Sequence, residues 1–340
     1  MNIGEIARRS GVSRSTVSYA LSGKRPVSEG TRQRIQAVID EFGYRPNATA
    51  RALKEGRTRT IALVIPPAGR RLTDVQLGFV ASVVDAAARA DLDVLLSPSG
   101  GEHDRSFERV IGGGRVDGVV LMELRMDDDR VTRLRRSGLP FVAIGRTRHP
   151  EDLTWVDVDN DLLIAKCVHH LADLGHRRVA LVNRSAGLMA TGYGPAHRAQ
   201  AGFARAIAER GLEGVQTCCA DDAQSGVACA ERLLGEHPGL TALATINEAA
   251  LPGLYRGIAY AGLAVPRDFS IAGVAARHLA ENLHPPLTAA DMPAGELGAR
   301  AVELLVERIA DPAAPHRELL LTPPISLRET TAPARPRTTG

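Results

Sequence analysis

The sequence predicts an α/β chain in two parts, a small N-terminal three-helix head of the helix-turn-helix type and a larger body of two doubly wound parallel sheets. Three observations carry this. Charge is uneven: residues 1–60 hold twelve Lys and Arg against five Asp and Glu, while residues 61–340 hold 30 against 34. Apolar spacing is helical up to Thr58, and from Thr60 short runs rich in Val, Ile and Leu alternate with helical stretches. The 340 residues, 44% of them hydrophobic, suffice for two or three domains with cores. A basic head on a slightly acidic body describes a polyanion binder joined to something that need not touch nucleic acid.

In the head, Ile3, Ile6 and Ala7 form one apolar stripe with Arg8 and Arg9 opposite, and Ser10-Gly11 ends the helix. Ser13 stands where an N-cap belongs and opens a second, two-faced helix. Val17, Ala20 and Leu21 share one face at i, i+3 and i+4. Arg14, Ser15, Ser18, Tyr19 and Ser22 line the other, with groups suited to base edges and phosphate oxygens in a DNA major groove. A third helix, capped by Ser28, turns Ile35, Val38, Ile39 and Phe42 inward until Gly43 stops it. Between Pro46 and Gly56 lies a helical segment of a couple of turns, too short to be stable alone in water.

Residues 2–58 resemble the DNA-binding head of the LacI/GalR family of bacterial transcription regulators, through Ile6-Ala7, Gly11-Val12-Ser13, Thr16-Val17-Ser18, Leu21, Val27-Ser28, Thr31-Arg32, Gly43-Tyr44, Pro46-Asn47 and Ala50-Arg51-x-Leu53. The resemblance implies that Arg14, Ser15 and Tyr19 read bases and that Ser13, Thr16, Ser18, Thr31 and Asn47 meet phosphates. It also implies a hinge helix containing Ala50, in which Leu53 levers open a base step from the minor groove beside Lys54, against its twin from a second subunit. An apolar wedge of this kind costs unstacking energy, which is offset by a kink that lets two heads reach their half-sites.

In the body, strands are expected at Ile61–Ile65, Val94–Leu96, Gly118–Leu121 and Phe141–Ile144, with helices near Gln76–Ala90, Asp104–Gly112 and Asp128–Ser137 between them. A second series follows from helix Leu162–Leu174 to strand Ser270–Val274, which implies a second lobe. The body resembles the ligand-sensing core of the same family, a two-lobed periplasmic-binding-protein-like fold, at Arg115-Val116-Asp117-Gly118, Val158-Asp159-Asn160, Leu174-Gly175-His176 and Pro286-Leu287-Thr288 among other stretches. The implied division is a head at 1–45, a hinge helix and linker at 46–58, a first lobe of 59–158 with 288–317, a second of 159–287 with 318–330, and a disordered tail at 331–340. The late helix Glu296–Ile309 is expected to return to the first lobe and Leu319–Leu321 to the second.

A small-molecule effector, a sugar or another metabolite, is expected in the cleft between the lobes, at the C-terminal ends of the strands. Family positions map to Asp74, Gln76, Phe79, Arg146, Asp159 and Asn247. Three departures stand out: Ala275 replaces a common aspartate, Asn247-Glu248 replaces the usual Asn-Asp pair, and Ala199 stands where an arginine is usual, with Arg198 one step away. Tyr193, Arg198 and Arg146 offer a different pocket, suited to something anionic.

No metal site and no cofactor are expected. Adjacent His169 and His170 point about 100° apart on a helix. Cys218 and Cys219 follow a predicted helix end at no redox spacing, and Gly112–Gly114 precedes a strand instead of joining strand to helix. Without a nucleophile elbow, P-loop or metal-ligand spacing, catalysis has no candidate residues, so the chain reads as a non-enzyme. With no apolar leader or bilayer-length run, the expectation is a cytoplasmic protein that does not enter membranes. Its partners would be double-stranded operator DNA and a second copy of itself, because the Pro- and Thr-rich end lacks leucine heptads for a tetramer. The alternative is a constitutive DNA binder whose effector response has been lost or altered.

Overall fold

A computed structural model describes residues 2–22, 25–43, 56–67, 71–99 and 104–335. The chain separates into two compact units, Met1–Thr58 and Arg59–Gly340.

In the first unit, helix α1 (Ile3–Ser10) starts where the Asn2 side chain accepts the Glu5 N–H, and it ends on Gly11 at φ 66°. That left-handed conformation favours glycine because a Cβ would crowd the carbonyl. Helix α2 (Arg14–Ser22) is capped as expected, the Thr16 N–H donating to Ser13 Oγ at 3.1 Å. Helix α3 (Glu29–Phe42) stops on Gly43, also left-handed. Ser28 does not cap it: its hydroxyl donates to Thr31 Oγ1 at 2.9 Å, leaving the first-turn amides without a side-chain acceptor. Ile6, Ala7, Val17 and Ile35 form the buried core, edged by Ile3, Val12, Ala20, Val38 and Ile39. Two residues expected inside are not. Leu21 and Phe42 are 37% and 38% exposed, each in the last turn of its helix where fewer neighbours surround a side chain, and the Arg9 guanidinium covers the Phe42 ring at 4.2 Å.

The second unit holds two six-stranded sheets, ordered β2-β1-β3-β4-β5-β11 and β7-β6-β8-β9-β10-β12. The first comprises β1 (Thr60–Ile65), β2 (Asp93–Pro98), β3 (Gly118–Leu121), β4 (Phe141–Ile144), β5 (Trp155–Val158) and β11 (Glu318–Leu321). The second comprises β6 (Arg178–Asn183), β7 (Glu213–Cys218), β8 (Ala242–Thr245), β9 (Ser270–Ala275), β10 (Thr288–Asp291) and β12 (Ile325–Ser326). All pairs are parallel except β10 with β12. Central strands such as β3 and β9 are buried along their whole length, as parallel strands covered on both faces require.

The helices of this unit are α4 (Asp74–Arg89), α5 (Asp104–Gly112), α6 (Asp129–Ser137), α7 (Asn160–Asp173), α8 (Ala186–Ala190), α9 (Gly194–Arg210), α10 (Ala223–Glu236), α11 (Leu251–Tyr260), α12 (Arg277–Asn282) and α13 (Ala294–Ala310). One apolar cluster runs from Ile61 and Phe79 of the first lobe through α7 and α13 to Leu181 and Ala244 of the second.

Three expectations are corrected. Thr288–Asp291 pairs with β9 and belongs to the second sheet, whereas Glu318–Leu321 pairs with β5 and belongs to the first. The reason lies in the connecting helix: α13 packs on α4 and on β3 to β5, so the strand that follows it meets the open edge of the first sheet. Cys218 ends edge strand β7, not a helix; Glu, Gly, Gln and Thr on β7 give it no apolar alternation to read. Finally, residues 331–335 of the expected disordered tail are tied down. The Ala332 N–H donates to Ser270 Oγ at 3.1 Å, Ala332 O lies 3.1 Å from His176 Nε2, and the Ala334 N–H donates to Leu174 O at 2.8 Å.

Candidate functional site

The first candidate site is the face of α2 opposite Val17. Val17 is fully buried, which fixes the helix about its axis and turns Ser13, Arg14 and Ser15 to solvent with Thr16, Ser18 and Tyr19 half-buried beside them. Ser13 Oγ and Thr16 Oγ1 lie 2.8 Å apart, and Arg25 stacks over the Tyr19 ring at 5.2 Å. The Arg14 guanidinium lies against Gly4 of α1, where a Cβ would come within 2.6 Å of its Nη2. Thr31, at the start of α3, receives Ser28 Oγ at 2.9 Å and Arg34 Nη2 at 3.3 Å. Asn47, Ala50, Leu53 and Lys54 lie outside the described residues.

The second candidate site lies in the cleft between the two lobes. An inner chamber of about 80 Å³ is bordered by Gln76, Phe79, Glu123, Asn160, Arg184 and Tyr193, among others. It shares Glu123 and Tyr193 with an outer chamber of about 490 Å³. Gln76 is set by a reciprocal cap on α4: its Oε1 accepts the Thr73 N–H, while Thr73 Oγ1 accepts the Gln76 N–H. Its amide then donates to Glu123 Oε1 at 2.5 Å, an oxygen that also accepts the Tyr193 hydroxyl at 3.0 Å. Glu123 sits at φ 58°, a left-handed backbone rarely adopted by a non-glycine residue and often found where function holds it.

Glu248 joins the lobes. Its Oε1 accepts the Val75 N–H of the first lobe at 2.8 Å and its Oε2 the Ala276 N–H of the second at 3.1 Å. A carboxylate at the first turn of α4 also meets the positive end of that helix. Arg184 is buried, with Nε donating to Asp221 Oδ1 at 2.7 Å and its face over Tyr193 at 5.5 Å. Among the described residues its Nη2 has no hydrogen-bond partner, and neither does Asn160 Oδ1.

Of the residues anticipated from sequence, Gln76, Phe79 and Tyr193 border the inner chamber, and Asp74 borders a neighbouring recess of about 260 Å³, with His278 Nε2 at 3.6 Å. Arg146, Asp159, Arg198 and Asn247 do not border the inner or outer chamber. Arg146 pairs with Asp157 at 3.1 Å and Asp159 at 3.7 Å, and Asp159 caps α7. Arg198 Nη2 donates to the carbonyls of Arg146 and Thr147, both at 3.0 Å. The Asn247 amide donates to Cys219 O at 2.9 Å and so holds the β7 and β8 loops together. These four brace the walls.

Burial pushes the Asp157 carboxyl up to about 6, against the pull of Arg146 and Arg198. Sequence reasoning missed Glu123, Asn160, Arg184 and Glu248 as lining residues. A usable signal existed, since each falls within three residues after the end of a parallel strand, where α/β folds place their sites.

Together these features define a helix-turn-helix DNA-binding transcription regulator with a two-lobed periplasmic-binding-protein-like core. Residues 2–47 match the bacterial regulatory proteins of the lacI family, and residues 168–331 match a periplasmic binding protein-like domain. The regulator AglR of Rhizobium meliloti is 32% identical, over 99% of this chain and 96% of its own. The transcriptional regulator CelR in complex with cellobiose is 28% identical, with a TM-score of 0.72 over 97% of this chain and 99% of its own. The lac repressor dimer bound to operator and an anti-inducer shares the fold at a TM-score of 0.86 and 21% identity, over 98% of this chain and 99% of its own. The chain belongs to the LacI family of bacterial transcription regulators.

Proposed function

We propose that this protein is a repressor that binds a near-palindromic operator as a homodimer, under the control of a small-molecule effector held between the lobes. The observation that carries this is the two-faced α2, whose buried Val17 leaves Ser13, Arg14 and Ser15 exposed at its start with Tyr19 half-buried beside them. In a major groove, Arg14, Ser15 and Tyr19 read base edges, and Ser13, Thr16, Ser18 and Thr31 contact phosphates. Asn47 contacts a further phosphate, and in the hinge segment that contains Ala50, Leu53 opens the central base step from the minor groove with Lys54 beside it.

Leu77 and Val84 on α4 are exposed, and so is Leu96 on edge strand β2, whose partner Leu63 packs on the α4 side of the sheet; apolar side chains on this side suit a second copy. The effector acts by favouring one closure state of the lobes in each subunit, and so the spacing at which two heads meet DNA. Relatives that are regulators support a non-enzymatic role, and operator DNA as partner supports a cytoplasmic protein. No described helix is long and apolar enough to cross a membrane.

The test is selection of bound fragments from genomic DNA, followed by anisotropy titrations on the selected duplex. Arg14→Ala is expected to weaken that duplex by about 1–3 kcal/mol and to relax base preference. Equal losses on selected and random DNA would refute the assignment.

A further inference from the structure

The cleft is electrically polarised along its depth. The inner chamber is bordered by the carboxylates of Glu123, Asp157 and Glu248. Two buried groups at its wall are unsatisfied among the described residues, Arg184 Nη2, which lacks an acceptor, and Asn160 Oδ1, which lacks a donor. Buried polar atoms without partners are uncommon because each forfeits hydration without replacement, and at a cavity wall they mark where a ligand completes the set. Carboxylates and an amide oxygen accept, while the guanidinium donates. A hydroxyl, which does both, satisfies either.

The outer chamber carries a positive excess, Arg71, Arg125 and Arg130 against Glu123 and Asp221. Arg130 is taken up by Asp128 at 2.7 Å, Asp221 by Arg184, and Glu123 by Gln76 and Tyr193. Arg71 and Arg125 also line it, and neither meets an anion among the described residues. Two uncommitted guanidinium groups in a concave site focus a positive potential, and they bind carboxylate or phosphate with charge-assisted geometry. A chamber of about 490 Å³ falls in the range of small-ligand sites.

We propose that the effector is an acidic carbohydrate, a hydroxylated molecule carrying one carboxylate or phosphate. Its hydroxyls face Glu123, Asn160 and Arg184, and its anionic group faces Arg71 and Arg125. Arg146 and Arg198, the arginines that the sequence offers for an anion, are already occupied by Asp157, Asp159 and backbone carbonyls. This assignment rests on the reading of the cleft as the effector site.

Calorimetric titration of the full-length protein tests it, with gluconate and galacturonate as carboxylate probes, glucose 6-phosphate as the phosphate probe, and glucose and cellobiose as neutral ones. An acidic probe is expected to bind, with an affinity that falls with salt and drops about tenfold or more in Arg71→Gln/Arg125→Gln. An unaltered unfolding midpoint shows that the double variant is folded. Which acid binds distinguishes carboxylate from phosphate. Neutral sugars binding as tightly as acidic ones, or an acid whose affinity ignores the double substitution, would overturn the proposal while leaving the cleft as the effector site. If no probe binds and a metabolite extract leaves operator affinity unchanged, the effector reading fails and this proposal with it.

Discussion

The candidate DNA face draws six side chains, Ser13 through Thr16 with Ser18 and Tyr19, from one stretch of seven residues, whereas the inner chamber gathers Gln76, Glu123, Asn160, Arg184 and Glu248 from both lobes. The first surface exists wherever one short helix forms and a single residue, Val17, anchors it. The second exists only when two sheets, each built from crossovers, bring their strand ends together. Local sites depend on a small core and on helix periodicity; assembled sites depend on closure of the whole second unit.

The largest expected difference between the two comes from Ile35→Ala, which opens a cavity in a small core that has four buried apolar residues among those described. Such deletions cost about 2–5 kcal/mol, enough to unfold a domain of this size. Differential scanning calorimetry of the full chain should lose a low-temperature transition and keep the main one. A single transition shifted as a whole would instead show that the two units unfold together.

In the body, acidity sharpens the comparison. The Asp157 carboxyl is raised in the folded protein from its ordinary 3.8 to about 6, so its contribution to stability is fully present below about pH 4 and is lost as pH rises through 6. The loss amounts to about 3 kcal/mol, and Asp157→Asn should flatten the pH dependence of the main transition. The head transition should not respond to Asp157→Asn. Because burial holds His170 and His176 below the usual imidazole range and so adds stability as pH rises through the same window, the comparison is with the variant: an Asp157→Asn profile that matches wild type between pH 4 and 7 would contradict the burial argument.

A smaller effect is expected from Glu248→Gln. The amide keeps one acceptor for Val75 or Ala276 but sets a donor against the other N–H, a cost of about 1–3 kcal/mol. Because Glu248 bridges the lobes, the change should also raise the radius of gyration measured by small-angle scattering. An unchanged denaturation midpoint with unchanged scattering would show that the bridge does not hold the lobes.

Much of the fold was legible because it is periodic. Val17 against Arg14 and Ser15, Gly11 and Gly43 as helix stops, and the apolar runs of β1, β3 and β4 all follow from spacing. β7 was not legible, since its edge position leaves it polar, and the swap of β10 and β11 between sheets was not either. In the cleft, Gln76, Phe79 and Tyr193 were anticipated, but Arg146 and Arg198 were read as pocket groups when their guanidinium groups turn into the wall.

By itself the sequence determined the types of the periodic elements, the basic head and the polar residues of α2, because these depend on neighbours within a turn or two of helix or strand. Only the tertiary structure decided which charges face the cleft and which face each other. Whether Arg184 meets a ligand or Arg146 meets Asp157 depends on distances between residues brought together by the crossovers, and no local pattern encodes those distances.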